Sequence, residues 1–232
     1  MSRILHKLFA NAAFLFLLVS TPLFLMGQKK LLNTPEIEQK FSQVWKSSEA
    51  SRKKYSFKAK TEVTRDGKVI QVLIEDVSWE SNGKQVRKVI SNQEAPLPST
   101  FLIHGIAAEQ KSKIIGFMSD LRVFLEKYAL DDENTRHSYF SKANISAPDA
   151  RGQLLVTGSD VFTTGDKLKW WIDTRSYTIA YVTISTTFKG VGAEFSATYY
   201  LLPDLNYMSQ AKIVVPSKDM VIKLQFYDFV KH

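Results

Sequence analysis

From Tyr139 onward the chain reads as seven short strand-forming segments, each bounded by Gly, Pro, Asp or Asn: Tyr139–Ile145, Gln153–Thr157, Lys167–Asp173, Tyr177–Phe188, Ala193–Leu202, Tyr207–Val215 and Met220–Val230. Short strands at regular spacing with turn residues between them predict an antiparallel meander. Several of these strands are apolar or aromatic on both sides. Tyr177, Ile179 and Tyr181 alternate with Ala180, Val182 and Ile184, and Met220, Ile222, Leu224 and Phe226 run against Val221, Tyr227 and Phe229. A sheet that is apolar on both faces needs a cover, a ligand or a partner.

Upstream the pattern changes twice. Thr34-Pro35-Glu36 opens a helix: Thr caps free N–H groups, Pro sits where no N–H is missed, and Glu complements the helix dipole. Ile37, Phe41, Val44 and Trp45 form its apolar stripe, and the Ser-rich basic stretch after Trp45 is expected to end it. From Tyr55 the period becomes two, with Tyr55, Phe57, Ala59, Thr61 and Val63 alternating with Ser56, Lys58, Lys60 and Glu62. Asp66-Gly67 and Asn82-Gly83 are hairpin signals, since both central residues of the favoured turn accept positive φ. They bracket a strand from Lys68 to Trp79 and return a third from Lys84 to Ile90, before the stiff loop Ala95-Pro96-Leu97-Pro98. Ile106 to Tyr128 is a helix with the stripe Ile114, Phe117, Met118, Leu121, Phe124, Leu125 and Tyr128, and an acidic loop from Asp131 to Asn134 follows. The fold class is therefore α+β and mainly β: a curved antiparallel sheet of about ten strands, with two helices to cover one face.

Composition bounds the rest. Arg3 and Lys7 precede an apolar run from Leu8 to Met26, the pattern of a secretory signal. Cleavage after Gly27 would leave a single domain over residues 28–232, exported to the periplasm or secreted; the alternative is an uncleaved N-terminal anchor. There is no cysteine, which excludes disulfides, thiolate metal sites and a Cys nucleophile. The net charge of +8 falls to +6 once the two leader cations are removed, and much of the excess lies between Lys40 and Lys68. In an exported chain that argues for a solvated helix end and strand face, or for contact with an anionic membrane, rather than for nucleic acid.

Reaction chemistry is sparse. His104, His137 and His232 have no second ligand at i+4, and neither a His-Glu-x-x-His nor a Gly-x-Ser-x-Gly motif occurs, so no metal, cofactor or triad is implied. An enzyme reading would have to bring Asp173, His104 or His137 into one cleft.

The stretch Gly165-Asp166-Lys167-Leu168-Lys169-Trp170-Trp171-Ile172-Asp173, the turn Thr174-Arg175-Ser176-Tyr177 and the corner Tyr200-Leu201-Leu202-Pro203 resemble exported proteins of the LolA/LppX-like superfamily. The order of leader, helix, three strands, helix and meander matches as well. The resemblance implies an unclosed β-barrel wrapped around helices, with an apolar cavity for acyl chains or a lipoprotein's lipid anchor and no catalysis. The candidate lining, taken from the concave strand faces and inner helix stripes, is Trp79, Phe117, Leu121, Phe124, Trp170, Ile172, Tyr181, Phe195, Tyr199 and Phe226. The partner would be a lipid or acylated protein. The alternative is an envelope sensor or protein-interaction module of the same fold.

Overall fold

The computed structural model describes residues 34–94 and 104–232, with side chains in the second stretch from residue 113. The hydrophobic leader, the Ala95–Pro98 loop and the His104 side chain lie outside the described residues. The elements in order are α1 (Thr34–Arg52), β1 (Tyr55–Arg65), β2 (Lys68–Trp79), β3 (Gln85–Glu94), α2 (His104–Glu126), a 3-10 turn (Lys127–Ala129), α3 (Glu133–Lys142), β4 (Asn144–Ile145), β5 (Gln153–Ser159), β6 (Lys167–Asp173), β7 (Ile179–Phe188), β8 (Val191–Leu202), β9 (Leu205–Val215) and β10 (Met220–Lys231). The strands form one ten-stranded antiparallel sheet in the order β3-β2-β1-β10-β9-β8-β7-β6-β5-β4, which does not close into a barrel. The last strand is therefore central, with β1 on one side and β9 on the other.

Two hairpins are two-residue turns with both central residues at positive φ, and the Asn82-Gly83 turn differs from its expected form. Asp66 (φ 50°) and Gly67 (φ 70°) both take positive φ between Arg65 and Lys68, as do Lys189 (φ 49°) and Gly190 (φ 77°) between Phe188 and Val191. At Asn82-Gly83 only Gly83 does (φ 80°). Its N–H donates to the Glu80 carbonyl at 2.8 Å, and the Asn82 side chain accepts from the Lys84 N–H at 2.8 Å. That is a longer turn held by a side chain, not the two-residue form.

The register divides the sheet into two faces. On one, here the helix face, lie Val156, Trp170, Val182, Ala197, Ala211 and Leu224, which are direct neighbours across β5 to β10. Phe41 of α1 packs there against Trp170 (ring centroids 5.2 Å), Trp45 (5.8 Å) and Phe140 of α3 (5.5 Å). Ala211, Ala197 and Ser209 are small and buried, so α1 can come down onto β9. The close approach is seen where Ser48 Oγ donates to the Asn206 carbonyl (3.1 Å) and accepts from its N–H (2.9 Å).

Those contacts correct the expected end of α1. The Ser-rich stretch does not stop the helix at Trp45, because Ser48 and Ser51 are buried and find partners on the sheet. A second correction concerns Tyr139–Ile145, expected as a strand behind an acidic loop. Most of it belongs to α3, a third helix beyond the two expected. The Asp132 carboxylate caps α3 by accepting from Thr135 N–H at 2.8 Å, and Arg136, Tyr139 and Phe140 are buried at helical spacing. The buried Arg136 guanidinium donates to Ser42 Oγ (3.0 Å) and to the carbonyls of Leu130 (2.8 Å) and Asp131 (3.2 Å), which ties α3 to α1.

Tyr139 dictates a neighbouring glycine. Its hydroxyl lies 3.1 Å from the carbonyls of both Val156 and Leu168, and its ring occupies the space where Gly158 would carry a Cβ. Gly158→Ala should therefore destabilise the protein by about 1–3 kcal/mol through overpacking. Gly116→Ala, in the exposed interior of α2 with nothing within 4 Å of its Cβ position, should stabilise it by about 1 kcal/mol. Urea unfolding of both variants checks the pair; equal effects would contradict the packing described.

Candidate ligand-binding site

The ladder between β9 and β10 runs from Val215/Met220 to Gln210/Gln225 and stops. Beyond that point β9 stays with β8 as far as Leu205/Leu202, and β10 stays with β1 as far as Lys231/Tyr55. Each limb carries a bulge close to the separation: one at Ser209, between the Thr198 and Tyr199 pairings, and one at Asp228, whose φ is 54°. A bulge bends its strand and increases the local twist, and here the bends accompany the parting of the limbs. The sheet thus contains a fork, and a hollow of about 330 Å³ sits in it. Tyr200, Leu202 and Tyr207 line one limb; Phe226, Tyr227 and Phe229 line the other.

Rings cross the fork. Tyr207 and Phe229 have centroids 4.0 Å apart, and Phe229 stacks on Phe57 at 4.8 Å, with Phe226 edge-on to Phe57 at 5.9 Å. The far end is closed by Asp204, in the β8–β9 turn. Its carboxylate accepts from Tyr55 Oη (2.5 Å), Lys231 Nζ (2.7 Å) and Ser51 Oγ (3.2 Å). Lys231 and then the Tyr55 and Ser51 hydroxyls hold the Asp204 carboxyl down at about 2, from an ordinary 3.8. The fork is therefore framed by a ladder at one end and an ionic clamp at the other.

A second hollow, of about 410 Å³, lies on the outer face of the sheet, away from the helices. The register explains its lining. Tyr181, Thr198, Gln210, Gln225 and Lys60 are neighbours in one row across β7, β8, β9, β10 and β1, and Ser196, Lys212, Lys223 and Glu62 are neighbours in the next row. Lys223 pairs with Glu62 at 3.0 Å. Gln210 and Gln225 border both hollows, so the two adjoin.

The residues singled out from sequence fall in several places. Trp170, Ile172 and Leu121 are fully buried. Phe117 and Phe124 pack on Phe188 at the end of β7 (5.7 and 5.1 Å). Phe195 and Tyr199 lie on β8, where burial pushes the Tyr199 phenol up to about 12. Trp79 ends β2 with its indole Nε1 buried and without a hydrogen-bond partner among the described residues. Phe226 is in the fork. Tyr181 is apart from all of these, on the outer face opposite Trp171 (centroids 5.2 Å). The structure brings in Tyr200, Tyr207 and Phe229, which the sequence reading did not select.

The groups considered for catalysis are occupied separately. Asp173 Oδ1 accepts from the N–H groups of Arg175 (2.9 Å) and Ser176 (3.1 Å) in its own turn, and His137 Nδ1 lies 2.8 Å from Glu38 on the helix surface. Asp166 is more deeply set. Burial alone would raise its carboxyl, but hydrogen bonds from Tyr128 Oη (2.7 Å) and from the amides of Phe162 (2.9 Å), Thr163 (2.9 Å) and Val161 (2.7 Å) outweigh that and hold it low. It fastens a loop around Tyr128. Among the described residues no group of three or more His, Asp or Glu side chains is placed to hold a metal ion, and no helix is long and apolar enough to cross a membrane.

No protein-family model matches the chain, and no curated protein sequence matches it. Solved structures that it resembles include a DUF1329 family protein from Desulfovibrio piger, at 8% identity and a TM-score of 0.41 over 84% of this chain and 92% of that one. Another is a LolA superfamily protein from Nitrosomonas europaea, at 7% identity and a TM-score of 0.37 over 86% and 93%. A third is an outer membrane lipoprotein-sorting protein domain from Vibrio parahaemolyticus, at 10% identity and a TM-score of 0.37 over 84% and 93%. The likeness is one of chain course, and no residue role is carried over from it.

The clamp at Asp204 makes a prediction about pH. Its carboxyl is depressed in the fold, so its contribution is present above the ordinary carboxylate value and lost as pH falls through about 2. Asp204→Asn should melt below the wild type at neutral pH, and the gap should close between about pH 4 and pH 2. Thermal melts across that range check it; a gap independent of pH would remove the carboxylate from its clamping role.

Proposed function

We propose that this protein is exported and binds a lipid or lipidated ligand without catalysis. The apolar chain enters at the fork and lies against the helix face of the sheet. The observation that carries this reading is the aromatic hollow of about 330 Å³ between the limbs of β9 and β10, a volume at the lower end of small-molecule sites. Phe226 lies in the fork, and Phe195 and Tyr199 lie on β8 at even spacing from Ala197 of the helix face. Trp170 forms a floor beneath Phe41 of α1, and Tyr181 lies on the outer face, in the lining of the second hollow. Burying an acyl chain at about 0.8 kcal/mol per methylene exceeds the cost of immobilising it, so shape and apolar lining are sufficient.

Lipid mass spectrometry on residues 28–232, exported to a bacterial periplasm and purified without detergent, tests this directly. A stoichiometric lipid is expected. Tyr207→Ala removes a ring bridging the fork and should weaken retention by roughly tenfold or more, from about 1.5–3 kcal/mol of lost aromatic contact, with the circular dichroism spectrum unchanged. A protein that stays empty after incubation with lipid vesicles would overturn the reading.

One observation favours the alternative, an envelope protein-interaction module. β3 is a sheet edge, and its Val89 and Ile90 are 55% and 50% exposed. Recovery of one stoichiometric protein partner, with no extractable lipid, would select that function.

A further inference from the structure

The outer-face hollow has a chemistry unlike the fork it adjoins. Lys212 and Lys223 are direct cross-strand neighbours, a like-charge arrangement that disfavours the sheet. Glu62 neutralises Lys223 at 3.0 Å, which leaves Lys212 and Lys60 as uncompensated charges in the hollow. Neither has an acidic partner among the described residues. The polar groups between them are equally unengaged: the Gln210 and Gln225 amides and the Ser196 and Thr198 hydroxyls make no hydrogen bond through their side chains among the described residues. Two cations surrounded by four neutral groups able to donate form a receptor for an oxyanion.

The position adds a second constraint. Gln210 and Gln225 border both hollows, so an anion held here lies beside the aromatic fork. We propose that the outer-face hollow binds the phosphate of an anionic amphiphile through Lys60 and Lys212, with Ser196, Thr198, Gln210 and Gln225 as neutral partners, while the fork takes the apolar end. This rests on the lipid reading above and specifies its ligand class as anionic and phosphate-bearing. It also places the headgroup on the face away from the helices. Phosphate suits the site better than a carboxylate because its additional acceptor oxygens can meet the amides and hydroxyls together with both ammonium groups.

The test uses residues 28–232 and three probes in calorimetry: monomeric lysophosphatidylglycerol, lysophosphatidylcholine of the same chain length, and inorganic phosphate. The wild type should prefer the anionic lysolipid, and the preference should shrink as salt rises. The variant carrying Lys60→Gln and Lys212→Gln should lose affinity for lysophosphatidylglycerol by about tenfold per lysine, the scale of one charge-assisted hydrogen bond. Its affinity for lysophosphatidylcholine, whose phosphate charge is offset by the choline, should fall by less, so that the preference is lost. Lys142→Gln, on α3, serves as the control and should alter neither. If the wild type binds both lysolipids equally, or the double variant keeps the preference, the headgroup site is wrong while lipid binding stands. Binding of inorganic phosphate alone, abolished in the double variant, would support the anion site and overturn the lipid reading. No binding of any probe overturns both.

Discussion

One carboxylate determines whether the sheet can part in the middle without coming loose. Asp204 accepts from Ser51 at the end of α1, Tyr55 at the start of β1 and Lys231 at the end of β10, so a single turn residue gathers three elements. Between the limbs of the fork no ladder continues past Gln210/Gln225, and without Asp204 the two limbs would be joined only by ring contacts. The side chain is 28% exposed, so its value lies more in fixing geometry than in stored energy. The closing of the fork's far end and the tie of the α1 terminus to it follow from these contacts.

What was legible in the sequence was local. The strands from Lys68 to Trp79 and Lys167 to Asp173 end where their turn residues predict, and Asp66-Gly67 makes its two-residue hairpin, because each depends on neighbours a few positions away. The failures are tertiary. Tyr139 and Phe140 suit a strand by intrinsic preference, and only the Asp132 cap and the burial of Arg136 turn them into a helix. Ser48 and Ser51 read as a helix stop until Asn206 and Asp204 supply their partners.

Bulges account for the errors in facing. Alternation places Ile179 and Tyr181 on one side of β7. The irregularity at Ala180 instead pairs Ile179 with Ile172 on the helix face and Tyr181 with Trp171 on the outer face. The bulge at Asp228 likewise brings Phe229 onto Phe57, beside Phe226, rather than leaving it with Tyr227. Phe226 could be named from alternation, but its companions in the fork could not, since a fork exists only in the pairing of distant strands. The lysines are a similar case. Lys60, Lys212 and Lys223 each look like ordinary solvated strand positions, and only the register gathers them.

The strand order has a consequence for how the molecule comes together. β1 finds its second neighbour only in β10, with Tyr55 opposite Lys231, so the seam of the sheet joins the two ends of the described chain. A polypeptide emerging from its N-terminus can form the β1–β3 hairpins early, yet β1 must then keep one edge unpaired until almost everything else has been delivered. Contacts so distant in sequence close slowly, and a waiting edge invites strangers. The alternation of Lys58, Lys60 and Glu62 along β1 puts charge beside that edge throughout the wait, a recognised guard against pairing with other chains. The same charges that border the outer hollow in the finished sheet would thus serve earlier as chaperones of its last seam.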